Sequence, residues 1–228
     1  MKSHAFSYKT IRRSVAAMLL LGVLFSETHA AEKPADAMVL FDGKSLDGWK
    51  KSAFSTEGNV DLKNPFKDGK GAIVIGSTDA LNGITFTKDV PKTNYEAVVE
   101  ALKIDGSDFF CALTFPVGDS AVTFVVGGWG GGVVGISSID GQDASENETT
   151  KTIGIKNDKW YRIRVRVTPE KIEAWIDDEK YVDLKTEGHK LALRHGEIDE
   201  SLPFGIATYQ TTSAIRDVRI TKLAAEKK

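Results

Sequence analysis

The chain has 228 residues, 41% apolar and 27% charged, with 30 Lys and Arg against 32 Asp and Glu. That length suits one domain or two small ones, and the apolar share is enough for a packed core, which excludes wholesale disorder. The balanced charge gives no reason to expect nucleic acid, and a single cysteine excludes both an internal disulfide framework and a cysteine-based zinc site.

Residues 1–30 have the plan of a secretory signal peptide: a basic start (Lys2, Lys9, Arg12, Arg13), the apolar stretch Ser14–Phe25, and the small-residue cleavage site Thr28-His29-Ala30. The apolar stretch is too short to span a bilayer, which takes about 20 residues, so no membrane span is expected. Cleavage after Ala30 leaves 26 basic and 31 acidic residues, a net charge of −5. The expected location is the periplasm or the extracellular space. The predicted organisation is a short tail over residues 31–38, one domain over 39–223 and a C-terminal tail over 224–228.

Beyond residue 37, short β-rich runs alternate with Gly, Asp, Asn and Pro. The predicted strands are Ala72–Ile75, Gly83–Thr87, Asp108–Phe115, Ala121–Val126, Val133–Ser137, Trp160–Thr168, Lys171–Asp177, Phe204–Gln210 and Ala214–Thr221. Runs of that length and spacing point to an all-β sandwich or barrel. Asn94–Ile104 reads equally as helix or strand. Cys111, inside Phe109–Leu113, reads as a small buried hydrophobe.

One hairpin is legible in detail. Ile163, Val165 and Val167 alternate with arginines, Ile172, Ala174 and Ile176 alternate with Glu173, Trp175 and Asp177, and Thr168-Pro169-Glu170-Lys171 suits a tight turn. Pairing across that turn sets Val167 against Ile172, Val165 against Ala174 and Ile163 against Ile176. On the other face it predicts Arg166 with Glu173, Arg164 with Trp175 and Arg162 with Asp177.

The tract Gly127-Gly128-Trp129-Gly130-Gly131-Gly132 satisfies G-x-G-x-x-G further along, through Gly135. It leads into a strand rather than a helix, which excludes a dinucleotide site. It reads either as a plain connection between strands or as a glycine-lined surface where the Trp129 indole stacks on a sugar ring. Downstream, Asp140, Asp143, Glu146 and Glu148 crowd together with Asn147. That density of oxygen ligands could hold Ca²⁺ or a similar divalent cation, or be an ordinary solvated loop, and the spacing is not that of an EF-hand. Glu96 and Glu100 share a face, but a Glu-x-Asp-x-Glu strand of the sandwich-glucanase kind is missing. After signal removal only His189 and His195 remain, both expected in loops.

The opening Leu40-Phe41-Asp42-Gly43-Lys44-Ser45-Leu46-Asp47-Gly48-Trp49 resembles the start of the 3-keto-disaccharide hydrolase family, also described as 3-keto-glycoside lyase/hydratase domains. Lys159–Ile163 through Trp175–Asp178, and Ile215–Ile220, agree with it. The resemblance spans residues 39–223. It implies a concanavalin-A-like (jelly-roll) β-sandwich that acts on sugars outside the cytoplasm, with a divalent metal in some relatives. It also implies structural roles, with Trp49 and Trp160 plugging the core edge and Gly43 and Gly48 shaping turns. The family's Gly-Asn-Ser-Gly turn, its Glu-bearing strand and its Gln-Asp-His-Gly segment are replaced here, the last by Tyr209-Gln210-Thr211-Thr212.

Together with the export signal, the resemblance implies an exported domain that hydrolyses or eliminates keto-glycosides. Asp140, Asp143 and Glu146 are the acid/base or metal candidates, and Trp129, Asn147 and Gln210 the saccharide-binding candidates. A non-catalytic carbohydrate-binding domain and a cell-envelope interaction domain are the alternatives.

Overall fold

The protein is described by a computed structural model covering residues 37–224 besides Met1, so the predicted export signal lies outside the described residues. Fifteen strands are found among them. In chain order they are β1 (Ala37–Phe41), β2 (Trp49–Lys51), β3 (Val60–Lys63), β4 (Ala72–Ile75), β5 (Leu81–Phe86), β6 (Tyr95–Gly106), β7 (Cys111–Val117) and β8 (Ser120–Gly127). They continue as β9 (Val133–Ser137), β10 (Lys151–Thr152), β11 (Trp160–Val167), β12 (Lys171–Ile176), β13 (Glu179–Lys185), β14 (Phe204–Tyr209) and β15 (Thr211–Lys222). No helix among the described residues is long and apolar enough to cross a membrane.

The strands form two antiparallel sheets. The first runs β13-β12-β11-β6-β15-β4-β3, with β1 also on β15, and the second runs β10-β9-β8-β7-β14-β5-β2. This is an all-β sandwich of the jelly-roll kind, as the sequence predicts. The ambiguous stretch 94–104 resolves as β6, the twelve-residue central strand of the first sheet. Its outward residues Val98 and Leu102 are buried as well as its inward ones, so the period-two pattern of a half-exposed strand is blurred.

The core lies between the sheets. Ile84, Ile206, Leu113, Phe124 and Ile136 are paired neighbours across five strands of the second sheet, and all five are buried. Facing them, Val182, Ala174, Val165, Ala97 and Ile220 form a corresponding row in the first. Burying side chains of this size stabilises the fold by about 1.5–3 kcal/mol each before entropy is subtracted. Tyr95 joins the layers by donating its hydroxyl to the Pro116 carbonyl at 2.7 Å. Cys111 is fully buried, and burial pushes its thiol up to about 12.

The hairpin β11–β12 has the predicted register at every pair from Ile163↔Ile176 to Val167↔Ile172. Arg164 lies over Trp175 with its guanidinium carbon 4.0 Å from the ring centroid. Two predicted contacts are corrected. Arg162 reaches the Asp177 carboxylate only through its backbone amide, at 3.0 Å, and that carboxylate pairs with Lys159 at 2.8 Å. Arg166 faces Glu173 in register but turns to β6, where its Nε and NH2 donate to Glu96 at 3.1 and 2.8 Å. Glu173 instead takes Lys171 and Lys180, at 2.9 and 2.5 Å. Burial would raise the Glu173 carboxyl, but the hydrogen bonds from the two lysines outweigh it and hold the group below its ordinary range. A strand inside a sheet has two neighbours, and the hairpin alone reveals only one of them.

The opening motif is structural. The Trp49 indole donates to the Leu40 carbonyl at 2.8 Å and packs edge-on against Phe86 and Phe204. Gly43 and Gly48 both take positive φ, at 91° and 84°. Trp160, expected at the core edge, lies instead on the outer face of the first sheet, between Phe66 and the Arg216 guanidinium 3.8 Å from its centroid.

Candidate functional site

The outer face of the second sheet has a low floor. The paired row Gly83, Ala207, Ala112, Val125 and Gly135 crosses five strands, and Thr85, Gly205, Thr114, Thr123 and Ser137 run beside it. Strand alternation puts these small residues opposite the large inward row. Small side chains leave room for the segment joining β13 to β14, residues 186–203, to lie across the face. Its middle part hangs on β9 and the loop after it, where Ser138 and Ala192 exchange backbone hydrogen bonds of 2.8 and 3.2 Å. Its end is a short 3₁₀ turn, Glu197–Ser201. There Ile198 packs with Ala112, Ala207 and Phe54, and the Glu200 carbonyl accepts from the Thr85 hydroxyl at 2.7 Å.

Between that segment and the glycine tract opens a cleft of about 480 Å³. Its apolar walls are Trp129, Phe109, Tyr209 and Ile198, and Asp108, Arg194, His195 and Glu197 supply polar groups. The Phe109 and Tyr209 rings are 5.9 Å apart and tilted. A second cleft, about 400 Å³, adjoins the first through Arg194 and His195 and contains Asp140, Asp143 and Lys190.

Trp129 is 41% exposed on the wall of the first cleft. It sits at φ 48°, ψ 57°, in the left-handed region, between Gly127 at φ 82° and Gly130 at φ 84°. Only glycine adopts that region freely, which is why the tract is glycine on both sides of the indole. Arg194 approaches the indole from across the opening, its guanidinium carbon 5.9 Å from the ring centroid.

The other predicted site residues separate. Asp143 lines the second cleft, accepting from the Ser137 hydroxyl at 3.1 Å and pairing with Arg194 at 3.2 Å. Asp140 lines the same cleft, but its carboxylate is held by His189 Nδ1 and the Lys190 amide, both at 2.7 Å. The hydrogen bond from His189 keeps the Asp140 carboxyl below its ordinary range, and the same bond raises His189. Glu148 stands 3.2 Å from the other ring nitrogen of His189. Glu146 is exposed and lines neither cleft. Asn147 is buried and serves its own loop: its amide donates to the carbonyls of Ile136, Gln142 and Asp143, and its oxygen accepts from Thr149. Gln210 is exposed at the β14–β15 turn, outside the cleft lining. Glu96 and Glu100 belong to the first sheet, where arginines take them up. Among the described residues, no group of three or more His, Cys, Asp or Glu side chains is arranged to hold a metal ion.

Sequence reasoning missed Tyr209, Phe109, Asp108, Arg194 and Ile198 as cleft residues. Strand parity could have found Tyr209: Phe204 and Ile206 face the core, so Gly205, Ala207 and Tyr209 face outward and Gln210 falls off the end. Residues 186–203 carry no periodicity that would reveal which face they cross.

The sequence matches the 3-keto-alpha-glucoside-1,2-lyase-like domain family over residues 36–221, so the chain belongs to that family. No curated protein sequence matches it. Solved structures share the fold at low identity. One is the carbohydrate esterase from Shiga toxin-encoding bacteriophage phi24B, with a TM-score of 0.55 and 10% identity, covering 82% of this chain and all of that one. Another is a protein with galectin-like fold from Bacillus subtilis, at 0.53 and 11%, covering 82% and 94%. A third is domain 4 of an extracellular arabinanase from Geobacillus stearothermophilus in complex with arabinotriose, at 0.51 and 12%, covering 83% and 94%.

Proposed function

We propose that this member of the 3-keto-alpha-glucoside-1,2-lyase-like domain family is an exported protein that binds a keto-glycoside in the cleft beside Trp129 and cleaves it. The observation that supports this is the composition of the cleft. An exposed indole, a Phe–Tyr pair and a ring of polar groups converge on one open face, and sugars present both apolar C–H faces and hydroxyl edges. Trp129 stacks on a ring face. Asp143 acts at the edge through Arg194, which its carboxylate orients.

The chemistry asks little of the protein. A ketone next to a ring carbon acidifies the hydrogen on that carbon. Removing the proton and expelling the neighbouring glycosidic oxygen splits the bond by elimination, with one group to take a proton and one to give it. His195 is the group of choice. It borders both clefts, and its imidazole makes no hydrogen bond to another described residue. The test is turnover of a 3-keto-disaccharide by the purified protein, with His195→Gln and Trp129→Ala as the variants. Turnover lost in His195→Gln with binding retained supports the assignment, and absence of both binding and turnover in the unaltered protein sinks it.

One observation favours a second reading, a carbohydrate-binding domain without catalysis. The carboxylates nearest the opening are already engaged: Asp108 by two backbone amides, Asp140 by His189 and Lys190, and Asp143 by Ser137 and Arg194. Saccharide binding with no turnover of any keto-glycoside would select it.

A further inference from the structure

We infer that Asp108 is the positioning residue of the site: its carboxylate holds Trp129 and Phe109 at a fixed separation across the cleft. The inference rests on the reading that the cleft binds saccharide. Asp108 Oδ2 accepts from the Gly130 amide at 2.8 Å, directly after Trp129, and Oδ1 accepts from the Phe109 amide at 2.8 Å. One side chain therefore ties together the turn that carries the indole and the start of the wall facing it. Gly132 N donates to Gly128 O at 3.1 Å and Gly128 bridges Val133, but Asp108 is the side chain that reaches the Gly130 amide.

The support for Asp108 is itself built in. Its amide donates to the Thr211 hydroxyl at 3.1 Å, and that hydroxyl approaches the Asp108 carbonyl at 2.9 Å. Lys103, only 6% exposed, directs its ammonium at the same carbonyl from below, 3.4 Å away. The tract lies close on this base: a Cβ built on Gly131 would come within 3.2 Å of the Ser107 carbonyl oxygen and 3.6 Å of Lys103 Nζ. A left-handed tryptophan persists only where its surroundings over-determine it, and the Asp108 clamp supplies that determination. The sequence signal is slight, a single Asp before Phe109-Phe110, twenty-one residues ahead of the indole.

The test is Asp108→Asn, which can accept from one of the two amides but not both. The signal of Trp129 is isolated from the other three tryptophans as the difference between each protein and its Trp129→Phe counterpart. Acrylamide quenching of that signal is expected to rise about twofold. The Kd for a 3-keto-disaccharide is expected to rise about tenfold with kcat unchanged, the size of one lost aromatic contact. Combining Asp108→Asn with Trp129→Ala should then cost no more than Trp129→Ala alone. Unchanged quenching overturns the inference. If Trp129→Ala leaves the Kd of the otherwise unaltered protein unchanged, the saccharide reading of the cleft fails instead, and quenching still decides the role of Asp108. Should Asp108→Asn not fold, Asp108→Glu keeps the charge, displaces the oxygens and is read the same way.

Discussion

Asp143 and Arg194 meet at 3.2 Å, and through this pair the loop after β9 fixes the segment that crosses the outer face of the second sheet. The arginine is 59% exposed and the aspartate 22%. Such a half-exposed pair contributes at most about 1 kcal/mol, so its value lies in orientation. Asp143→Ala should therefore change the melting temperature little while weakening saccharide binding, because Arg194 loses its place beside Trp129. Calorimetry on the folded variant, read together with thermal unfolding, checks both halves.

Trp129 offers a sharper separation of stability from activity. Replacing it by glycine relieves the left-handed backbone but loosens the unfolded chain, and these effects nearly cancel. Trp129→Gly should keep its stability to within about 0.5 kcal/mol while raising the saccharide Kd about tenfold. A large loss of stability, measured by denaturant titration, would make the indole a packing residue instead.

The pair His189 and Asp140 predicts a pH dependence with a definite sign. His189 is raised in the folded state by its hydrogen bond to Asp140, so its contribution is complete below the ordinary histidine value and is lost as pH rises through the folded one. Asp140 is lowered, mainly by His189, so its contribution is present above the ordinary aspartate value and is lost as pH falls through the folded one. Between those limits both act. Lys190, whose backbone amide also serves Asp140, and Glu148 complete the charged surroundings. The melting temperature should fall as pH is raised past the histidine range, and His189→Gln should remove that slope.

The thiol of Cys111, buried and pushed up to about 12, should be inert to thiol reagents in the folded protein and react once in denaturant. Cys111→Ser places a hydroxyl in an apolar layer and should cost about 1–3 kcal/mol. Prompt labelling of the native protein would contradict the burial.

At Gly205 the crossing segment lies close on the sheet. A Cβ there would come within 2.6 Å of the Ser201 carbonyl oxygen and 2.8 Å of Ser201 Cβ. Gly205→Ala should destabilise by about 1–3 kcal/mol and release residues 197–201 to faster proteolysis. Limited digestion, with sites mapped by mass, tests whether the segment lifts.

What the sequence discloses follows the range of the physics. The β11–β12 register is local, set by a four-residue turn and two alternating runs, and every pair can be placed without the rest of the chain. Arg166 cannot, because its choice between Glu173 and Glu96 depends on which strand lies on the other side of β11. The short edge strands β2, β3 and β10 have too few residues to establish a period, and β13 pairs at the sheet edge with charges on its exposed side, so none of the four stands out. In the site, Trp129 is conspicuous because glycines surround it. Asn147 has the composition of a ligand-binding residue, but the carbonyls of Ile136, Gln142 and Asp143 take up its amide. Arg194, His195 and Ile198 belong to the site only because a segment without pattern crosses a floor of small residues.

Strand β15 divides its length among three partners. It pairs with β6 on one side and with β4 and then β1 on the other, changing partner around Asp217, which has φ 48°. The last of the described strands is thus the keystone of its sheet. The group β13-β12-β11-β6 and the strands β1, β3 and β4 join one sheet only through β15, so that sheet cannot close before residue 222 is in place. The nascent polypeptide must then keep two unfinished edges shielded, and a fusion placed just after β15 sits at the seam where assembly is completed.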